Sequence, residues 1–163
     1  MKMEIVEISQ VNDCLAEMVA LFRVELRSYK GIESKPNLDA GLEEMDEYLS
    51  AGFPVFAAMV DGKYAGYVVC RVDSEVVWVE SIFVKEEYRR HGVATALHSK
   101  AEEIAASYSE DTVYNYVHPN NHRMIEFLRK RGYTVLNLIE IRKPYQGEKL
   151  TQTIVVGEHD FDY

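Results

Sequence analysis

Apolar positions in the first third of the chain recur at the spacing of α-helices. A short strand is predicted near Met3 to Ile8. After it, apolar residues recur at steps of three and four and form one face of a helix, which consists of Leu15, Met18, Val19, Phe22 and Leu26. A second amphipathic helix is predicted from about Asp39, and Gly52 can end it. The pattern therefore predicts a strand followed by two helices.

The period changes at Pro54, where apolar and β-branched residues become dense. Three runs, PVFAAMV, YAGYVVCRV and VVWVESIFV, are typical of β-strands. The connections Asp61-Gly62-Lys63 and Asp73-Ser74-Glu75 are short enough for hairpins. These runs predict an antiparallel meander of three strands.

The second half of the chain alternates helices with strands. A stripe of Ala94, Leu97, Ala101, Ile104 and Ala105 predicts a helix, TVYNYV a strand, and HRMIEFLRKR a helix that closes at Gly132. Two last strands are predicted in YTVLNLIEIRK and LTQTIVV, and the tail GEHDFDY is left open between a continued strand, a partner contact and a frayed end. The predicted fold class is α+β, with a mixed, mostly antiparallel seven-stranded sheet flanked by about four helices.

Length and composition predict a single domain that spans residues 1–163. Its 47% hydrophobic residues are enough to build a core. The net charge of −9 argues against nonspecific nucleic-acid binding and mildly favours cationic partners. Cys14 and Cys70 lie far apart in apolar segments, which favours a reduced buried pair and a cytoplasmic location over a disulfide or a metal site. Neither a signal peptide nor a run near the ~18 apolar residues of a membrane span is found, so no membrane partner is expected.

Positive charge is concentrated in VKEEYRRHGVATALHSK, just before a predicted helix, where cations oppose the helix dipole. A glycine-bearing turn at this place aims unpaired backbone N–H groups outward and favours a bound phosphate. The alternative is that the arginines are solvated and Gly92 merely starts the helix. No Gly-Lys-Ser/Thr or G-x-G-x-x-G pattern is present, so nucleotide hydrolysis and hydride transfer lose support.

Arg89-Arg90-His91-Gly92-Val93-Ala94 matches the R/Q-x-x-G-x-G/A motif, and here the chain resembles the GNAT family of N-acetyltransferases. WVESIFV resembles the fourth strand of that family, and NHRMIEFLRKRGY resembles its late helix. The resemblance covers about Pro54 to Tyr133 and implies the GNAT fold, with acetyl-CoA as co-substrate and no metal.

The resemblance also implies the cofactor-binding residues. Backbone groups of the turn would hold the pyrophosphate, and the residues concerned are Arg89, Arg90, His91, Gly92, Val93, Ala94 and Thr95. The edge formed by Ile82, Phe83 and Val84 would pair with the pantetheine arm, which Asn121 at the start of the late helix would contact. His118 and His122 are separated by Pro119, which argues against a helical metal pair.

An amine must lose a proton to attack a thioester, so a proton acceptor is needed. Glu80, a carboxylate within an apolar strand, is the candidate, unless it faces solvent and pairs with a surface lysine. Leu128 stands where many family members carry a tyrosine that protonates the leaving thiolate, so that role is not transferred. Tyr114, Tyr116 and Tyr133 are alternatives, with Tyr116 preferred, and His98 is predicted at the surface.

The predicted function is acetyl transfer from acetyl-CoA to a primary amine, by direct attack in a ternary complex. The alternative is a non-catalytic module that binds or senses acyl-CoA on the same fold. A cluster of Glu43, Glu44, Asp46 and Glu47 favours a cationic small-molecule or peptide acceptor, or is only a solvated acidic face. A homodimer is left open, because dimers are common in the family.

Overall fold

A computed structural model describes all 163 residues, from Met1 to Tyr163. The helices are α1 (Asp13–Ser28), α2 (Leu38–Ser50), α3 (Val93–Ser107) and α4 (His122–Lys130). The strands are β1 (Met3–Glu7), β2 (Val55–Val60), β3 (Lys63–Asp73), β4 (Val76–Val84), β5 (Tyr114–Asn115), β6 (Thr153–Val156) and β7 (His159–Asp162). The chain divides into two compact units, 1–116 and 117–163, which are described separately.

The first unit is built on a five-stranded sheet in the order β1-β2-β3-β4-β5. Neighbouring strands are antiparallel except β4 and β5, which are parallel and joined through α3. The predicted meander and the mixed α+β class are confirmed. The main core of this unit consists of residues from α1, α2 and the central strands, among them Leu15, Met18, Met45, Tyr67 and Phe83.

Both N-terminal helices begin at asparagine caps. The side chain of Asn12 accepts a hydrogen bond from the Leu15 N–H at 3.0 Å, and that of Asn37 accepts one from the N–H of residue 40 at 3.1 Å. The helices meet closely at Gly41, where an added Cβ would lie 2.2 Å from the Ala16 carbonyl oxygen. The absence of a side chain at Gly41 therefore allows the observed spacing of α1 and α2.

Two predictions of exposure are wrong. His98 is fully buried on α3, because its Nε2 lies 3.0 Å from Asn115 Oδ1 and a polar partner compensates its lost hydration. Cys14 is exposed on α1, whereas Cys70 is buried as expected. Burial raises the pKa of the Cys70 thiol to about 12.

The second unit differs from the predicted strand pattern. Residues 133–143 form no strand, although their sequence is β-rich, because no other strand pairs with them. β6 pairs instead with β7, which lies in the tail GEHDFDY. The seven strands are therefore divided into a sheet of five and a hairpin of two rather than joined in one sheet.

Two further properties concern the whole chain. None of its helices has both the length and the apolar character that crossing a membrane requires. No group of three or more His, Cys, Asp or Glu side chains is arranged to hold a metal ion.

Candidate active site

The fourth strand has one edge that is only partly paired. β4 pairs with β3 along its length, but β5 meets it only at Trp78–Tyr114 and Val79–Asn115. Beyond Val79, no strand of the sheet pairs with this edge of β4, which includes Ile82, Phe83 and Val84. An extended ligand can add to such an edge through main-chain hydrogen bonds.

The chain turns directly after this edge. A short 3-10 helix, Glu86–Tyr88, leads into two left-handed residues, Arg90 with φ 67° and Gly92 with φ 79°. Gly92 is the N-cap of α3 and offers no side-chain cap, and the first helical bond runs from the Ala96 N–H to the Gly92 carbonyl at 3.0 Å. The preceding amides of the helix therefore have no helical acceptor, which is the arrangement of an anion site.

The residues around this turn have different surroundings. Arg89 is tied down: its Nε donates to the Val84 carbonyl at 2.9 Å, and its Nη2 lies 3.2 Å from Glu25 Oε1. Arg90 and His91 are exposed, and a Cβ at Gly92 would meet no atom within 4 Å. Arg89 thus fixes the turn against β4 and α1, while Arg90 and His91 are accessible to a ligand.

The remaining predicted members of the turn are the first residues of α3. Val93 is buried and anchors the start of the helix, whereas Ala94 is half-buried and Thr95 is exposed. Packing of Val93 therefore holds the helix start in place while the turn beside it stays at the surface.

Glu80 is the extra residue of a β-bulge in β4. The register pairs Val69 with Ser81 and Cys70 with Val79, so Glu80 has no partner in β3. The Ser81 Oγ lies 2.8 Å from the hydroxyl of the fully buried Tyr67. Burial raises the pKa of Tyr67, so this hydroxyl stays protonated.

Glu80, Arg71 and Tyr116 form a connected group. Arg71 Nε donates to Glu80 Oε2 at 3.2 Å, and its Nη2 donates to the Tyr116 hydroxyl at 2.9 Å. The guanidinium also lies 4.3 Å from the centre of the Trp78 ring. The sequence predicted Glu80 and Tyr116 as candidate catalytic residues but not Arg71. The one indication of Arg71 was that it is a lone arginine within the apolar run YVVCRV.

A cavity of about 360 Å³ lies beside Glu80. It is lined by Arg23, Ala40, Glu43, Glu44, Glu47, Tyr48 and Glu80. Three of the four acidic residues predicted on α2 line it, whereas Asp46 does not. Three carboxylates of α2 and that of Glu80 therefore line one cavity.

Glu44 is held inside this cavity by two neighbours. Arg23 binds it with both Nε and Nη2, and the Tyr48 hydroxyl donates to it. Burial and this hydrogen bond raise the pKa of Tyr48, and the hydrogen bond with Glu44 raises the pKa of Arg23. Glu43 and Glu47 are exposed at the rim, so the cavity keeps a surplus of negative charge.

The other predicted residues have structural contacts. The ring of Tyr114 packs against Trp78 with centroids 5.5 Å apart. Asn121, in the unit 117–163, accepts a hydrogen bond from the Met124 N–H at 3.2 Å and so caps α4, in which Leu128 is buried. This cap gives Asn121 a structural role, and its contact with a cofactor stays a prediction.

Comparison with known proteins identifies the family to which this chain belongs. The sequence model of the Acetyltransferase (GNAT) family matches residues 18–133. The chain therefore belongs to the GNAT acetyltransferase family, as the motif predicted.

Relatives with similar sequences are N-acetyltransferases by name. An uncharacterised N-acetyltransferase of Methanocaldococcus jannaschii is 33% identical over 85 residues, which cover 48% of this chain and 38% of that protein. An N-alpha-acetyltransferase of Sulfurisphaera tokodaii is 29% identical over 115 residues, which cover 60% of this chain and 65% of that protein. The matches thus span less than two thirds of each of these relatives.

Solved structures have the same fold. The aminoglycoside N-acetyltransferase AAC(6')-Iy in complex with CoA is 24% identical with a TM-score of 0.65, and the match covers 87% of this chain and 95% of that one. A protein of Pyrococcus horikoshii is 19% identical with a TM-score of 0.66, and the match covers 86% and 94%. At these identities the likeness shows the architecture alone.

Proposed function

We propose that this protein transfers an acetyl group from acetyl-CoA to a primary amine, by direct attack of the amine in a ternary complex. The observation that carries the proposal is the turn at Arg90 and Gly92, with its unpaired amides, beside the unpaired edge of β4. A diphosphate fits such amides, and an amide-bearing arm fits such an edge.

The residues present fit a CoA thioester, which would supply the activated acetyl group. The turn amides up to Thr95 would hold its pyrophosphate, with Arg90 and His91 as exposed neighbours. Ile82 and Val84 would pair with its pantetheine arm. A backbone N–H near Ile82 would also stabilise the negative charge that develops on the carbonyl oxygen.

Glu80 is the proton acceptor in this proposal. It is the extra residue of the bulge and lines the acidic cavity, where an amine would lose its proton to it directly or through water. The Tyr116 hydroxyl accepts a hydrogen bond from Arg71, so its own O–H would be available to donate to the leaving thiolate. Arg71 would position both groups.

The proposed acceptor is cationic. The cavity beside Glu80 carries more carboxylates than basic groups, and this charge favours an ammonium-bearing substrate. The names of the similar proteins include an aminoglycoside N-acetyltransferase and an N-alpha-acetyltransferase. A panel of acceptors should therefore contain aminoglycosides, polyamines and peptides with free N-termini.

A non-catalytic acyl-CoA-binding module is the second candidate. The observation that favours it is Leu128, which is buried in α4 at the place where the resemblance implies a proton-donating tyrosine. Such a module would bind CoA at the same turn and transfer nothing.

Cofactor binding is tested by thermal melting with and without acetyl-CoA. Gly92→Ala places a Cβ in the open space of the turn and should remove most of the cofactor-induced rise in Tm. Gly62→Ala is the matched control, because Gly62 has the same φ of 79° and also meets no atom within 4 Å. The two variants should lose similar stability without ligand, and an equal response to acetyl-CoA would contradict the anion site.

Catalysis is tested by following thiol release across the acceptor panel. Glu80→Gln, which keeps the shape of the side chain, should lower kcat by roughly 10² to 10³ while the Kd for acetyl-CoA is unchanged. Turnover of at least one amine by the unsubstituted protein is expected. Tight acetyl-CoA binding with no turnover for any acceptor would favour the module.

A further inference from the structure

A histidine that takes no part in the proposed chemistry is buried between α3 and β5. His98 is fully buried on α3, and its Nε2 lies 3.0 Å from the Oδ1 atom of Asn115. On the other side of the ring, Nδ1 lies 3.6 Å from Glu102 Oε1. Burial removes the hydration of an imidazole, so these polar partners are what allow it to be there. His98 therefore links the helix that begins at Gly92 to the strand that follows it.

The direction of the hydrogen bond between His98 and Asn115 is fixed by a second contact. The Asn115 Nδ2 donates to the Val113 carbonyl at 3.1 Å. A carbonyl oxygen only accepts hydrogen bonds, so the amide nitrogen must face Val113 and Oδ1 must face His98. His98 Nε2 is therefore the donor, and a substitution can keep or remove this donor selectively.

The position of β5 depends on few main-chain contacts. β5 consists of Tyr114 and Asn115 alone, lies at the edge of the sheet and meets β4 at two residue pairs. A strand this short has little support from its ladder. The bond from His98 adds a buried attachment at the second of these two residues, and so fixes the end of the strand.

The fixed side chain determines where the neighbouring tyrosines point. Side chains alternate along an extended chain, so Asn115 faces α3 while Tyr114 and Tyr116 face the opposite side of the sheet. The contacts agree: the ring of Tyr114 packs on Trp78, and the Tyr116 hydroxyl accepts a hydrogen bond from Arg71 at 2.9 Å. Anchoring Asn115 thus sets the rotation of β5 about its own axis. That rotation places the Tyr116 hydroxyl beside Arg71.

We propose that His98 is a positioning residue for acetyl transfer, which acts through Asn115 to hold Tyr116 against Arg71. The inference rests on the proposed function, in which Tyr116 donates a proton to the leaving thiolate. His98 touches none of the reacting groups, because it is buried on the α3 side of the strand. Its loss should therefore slow the chemical step and leave the affinity for acetyl-CoA unchanged.

The first test measures the placement of β5 without any substrate. Trp78 is the only tryptophan of the chain and packs against Tyr114, so its fluorescence reports the position of this strand. His98→Asn is too short to reach Asn115, whereas His98→Gln puts an amide nitrogen close to the place of Nε2. His98→Asn should shift Trp78 emission to longer wavelength and increase its quenching by acrylamide, and His98→Gln should resemble the unsubstituted protein. Unchanged emission and quenching in His98→Asn would overturn the proposal.

Two further variants separate positioning from a general loss of stability. Gly41→Ala is the control, because its Cβ strains the contact of α1 with α2 and not β5, so Trp78 fluorescence should stay unchanged below its Tm. Asn115→Ala removes the other partner of the bond and should reproduce the effect of His98→Asn, which keeps the test decisive if that variant does not fold. Equal fluorescence changes in Gly41→Ala and His98→Asn would refute the positioning role.

The second test measures turnover in a cycle with Tyr116→Phe. With an amine that the unsubstituted protein acetylates, His98→Asn should lower kcat roughly tenfold at an unchanged Kd for acetyl-CoA, and His98→Gln should recover most of the activity. In the Tyr116→Phe background, His98→Asn should cost less than about twofold, because the hydroxyl that it positions is already absent.

Two kinetic results would contradict the role of His98 in the reaction. One is a loss from His98→Asn that persists in full without the Tyr116 hydroxyl, and the other is a Tyr116→Phe variant as active as the unsubstituted protein. If no amine reacts at all, the proposed function fails instead. The fluorescence of Trp78 still decides in that case whether His98 holds β5 in place.

Discussion

Arg71 offers the sharpest test of how the candidate catalytic group works. The substitution Arg71→Met keeps the unbranched side-chain stem but removes the guanidinium, which contacts Glu80, Tyr116 and Trp78. If Glu80 is the proton acceptor, Arg71 acts through it as a positioning residue. Loss of Arg71 should then impair turnover while leaving the cofactor site intact.

The expected magnitudes follow from the three contacts. The ion pair with Glu80 joins side chains that are 26% and 29% exposed, so it contributes about 0.5 kcal/mol. The hydrogen bond to Tyr116 and the contact with the Trp78 ring contribute about 0.5 to 1 kcal/mol each. The total is about 2 kcal/mol, and for a chain of this size it lowers Tm by roughly 4 to 8 °C.

The loss of activity expected for Arg71→Met is smaller than that expected for Glu80→Gln. Glu80→Gln removes the base, whereas Arg71→Met only leaves it less well placed, so kcat/KM should fall roughly tenfold in the latter. In the double variant the Arg71 substitution should cost less than about twofold, because the group it positions is already absent. Arg71→Lys should recover part of the activity.

The assay combines steady-state kinetics with acetyl-CoA binding. It compares the unsubstituted protein, Arg71→Met, Glu80→Gln and the double variant. Unchanged acetyl-CoA affinity in every variant is expected, since the turn at Gly92 is not touched. Losses that add fully in the double variant would show that Arg71 acts independently of Glu80 and would refute the positioning role. Unchanged kinetics in Arg71→Met would do the same.

Two further predictions concern stability. Gly41→Ala should lower the free energy of unfolding by about 2 kcal/mol in urea denaturation, because its Cβ meets the Ala16 carbonyl at 2.2 Å; an unchanged value would show that the helices separate without cost. Because burial raises the pKa of Cys70 from 9.0 to about 12, its contribution to stability is complete below pH 9 and declines between pH 9 and 12. The difference in unfolding free energy between the unsubstituted protein and Cys70→Ala should therefore narrow across that range by up to about 1.4 kcal/mol per pH unit, and a constant difference would contradict the shift.

Local patterns predicted the helices and the meander well. The apolar steps of α1 are set by neighbouring residues, so the sequence contains them directly. The burial of His98 depends on Asn115, which is 17 residues away, and therefore left no local signal. The segment 133–143 shows the converse case, since a strong strand pattern still requires a partner strand.

The candidate site was predictable in part. The motif from Arg89 to Ala94 located the turn, but it gave no means of knowing that Arg89 is engaged by Val84 and Glu25. Alternation along β4 left the environment of Glu80 undecided, because a bulge interrupts the ladder there. Arg71 was missed because its contacts with Glu80 and Trp78 depend on how β3 pairs with β4, and the sequence does not show this register.

The bulge in β4 adds Glu80, a candidate catalytic residue, without adding a residue pair to the sheet. Since Glu80 pairs with nothing in β3, deleting its single codon would bring Val79 and Ser81 into an uninterrupted ladder with Cys70 and Val69. The sheet would keep its interstrand bonds, and the turn at Gly92 its shape. If Glu80 is the proton acceptor and the turn binds the thioester cofactor, this single deletion would remove acetyl transfer and keep cofactor binding, and the reverse insertion would restore transfer.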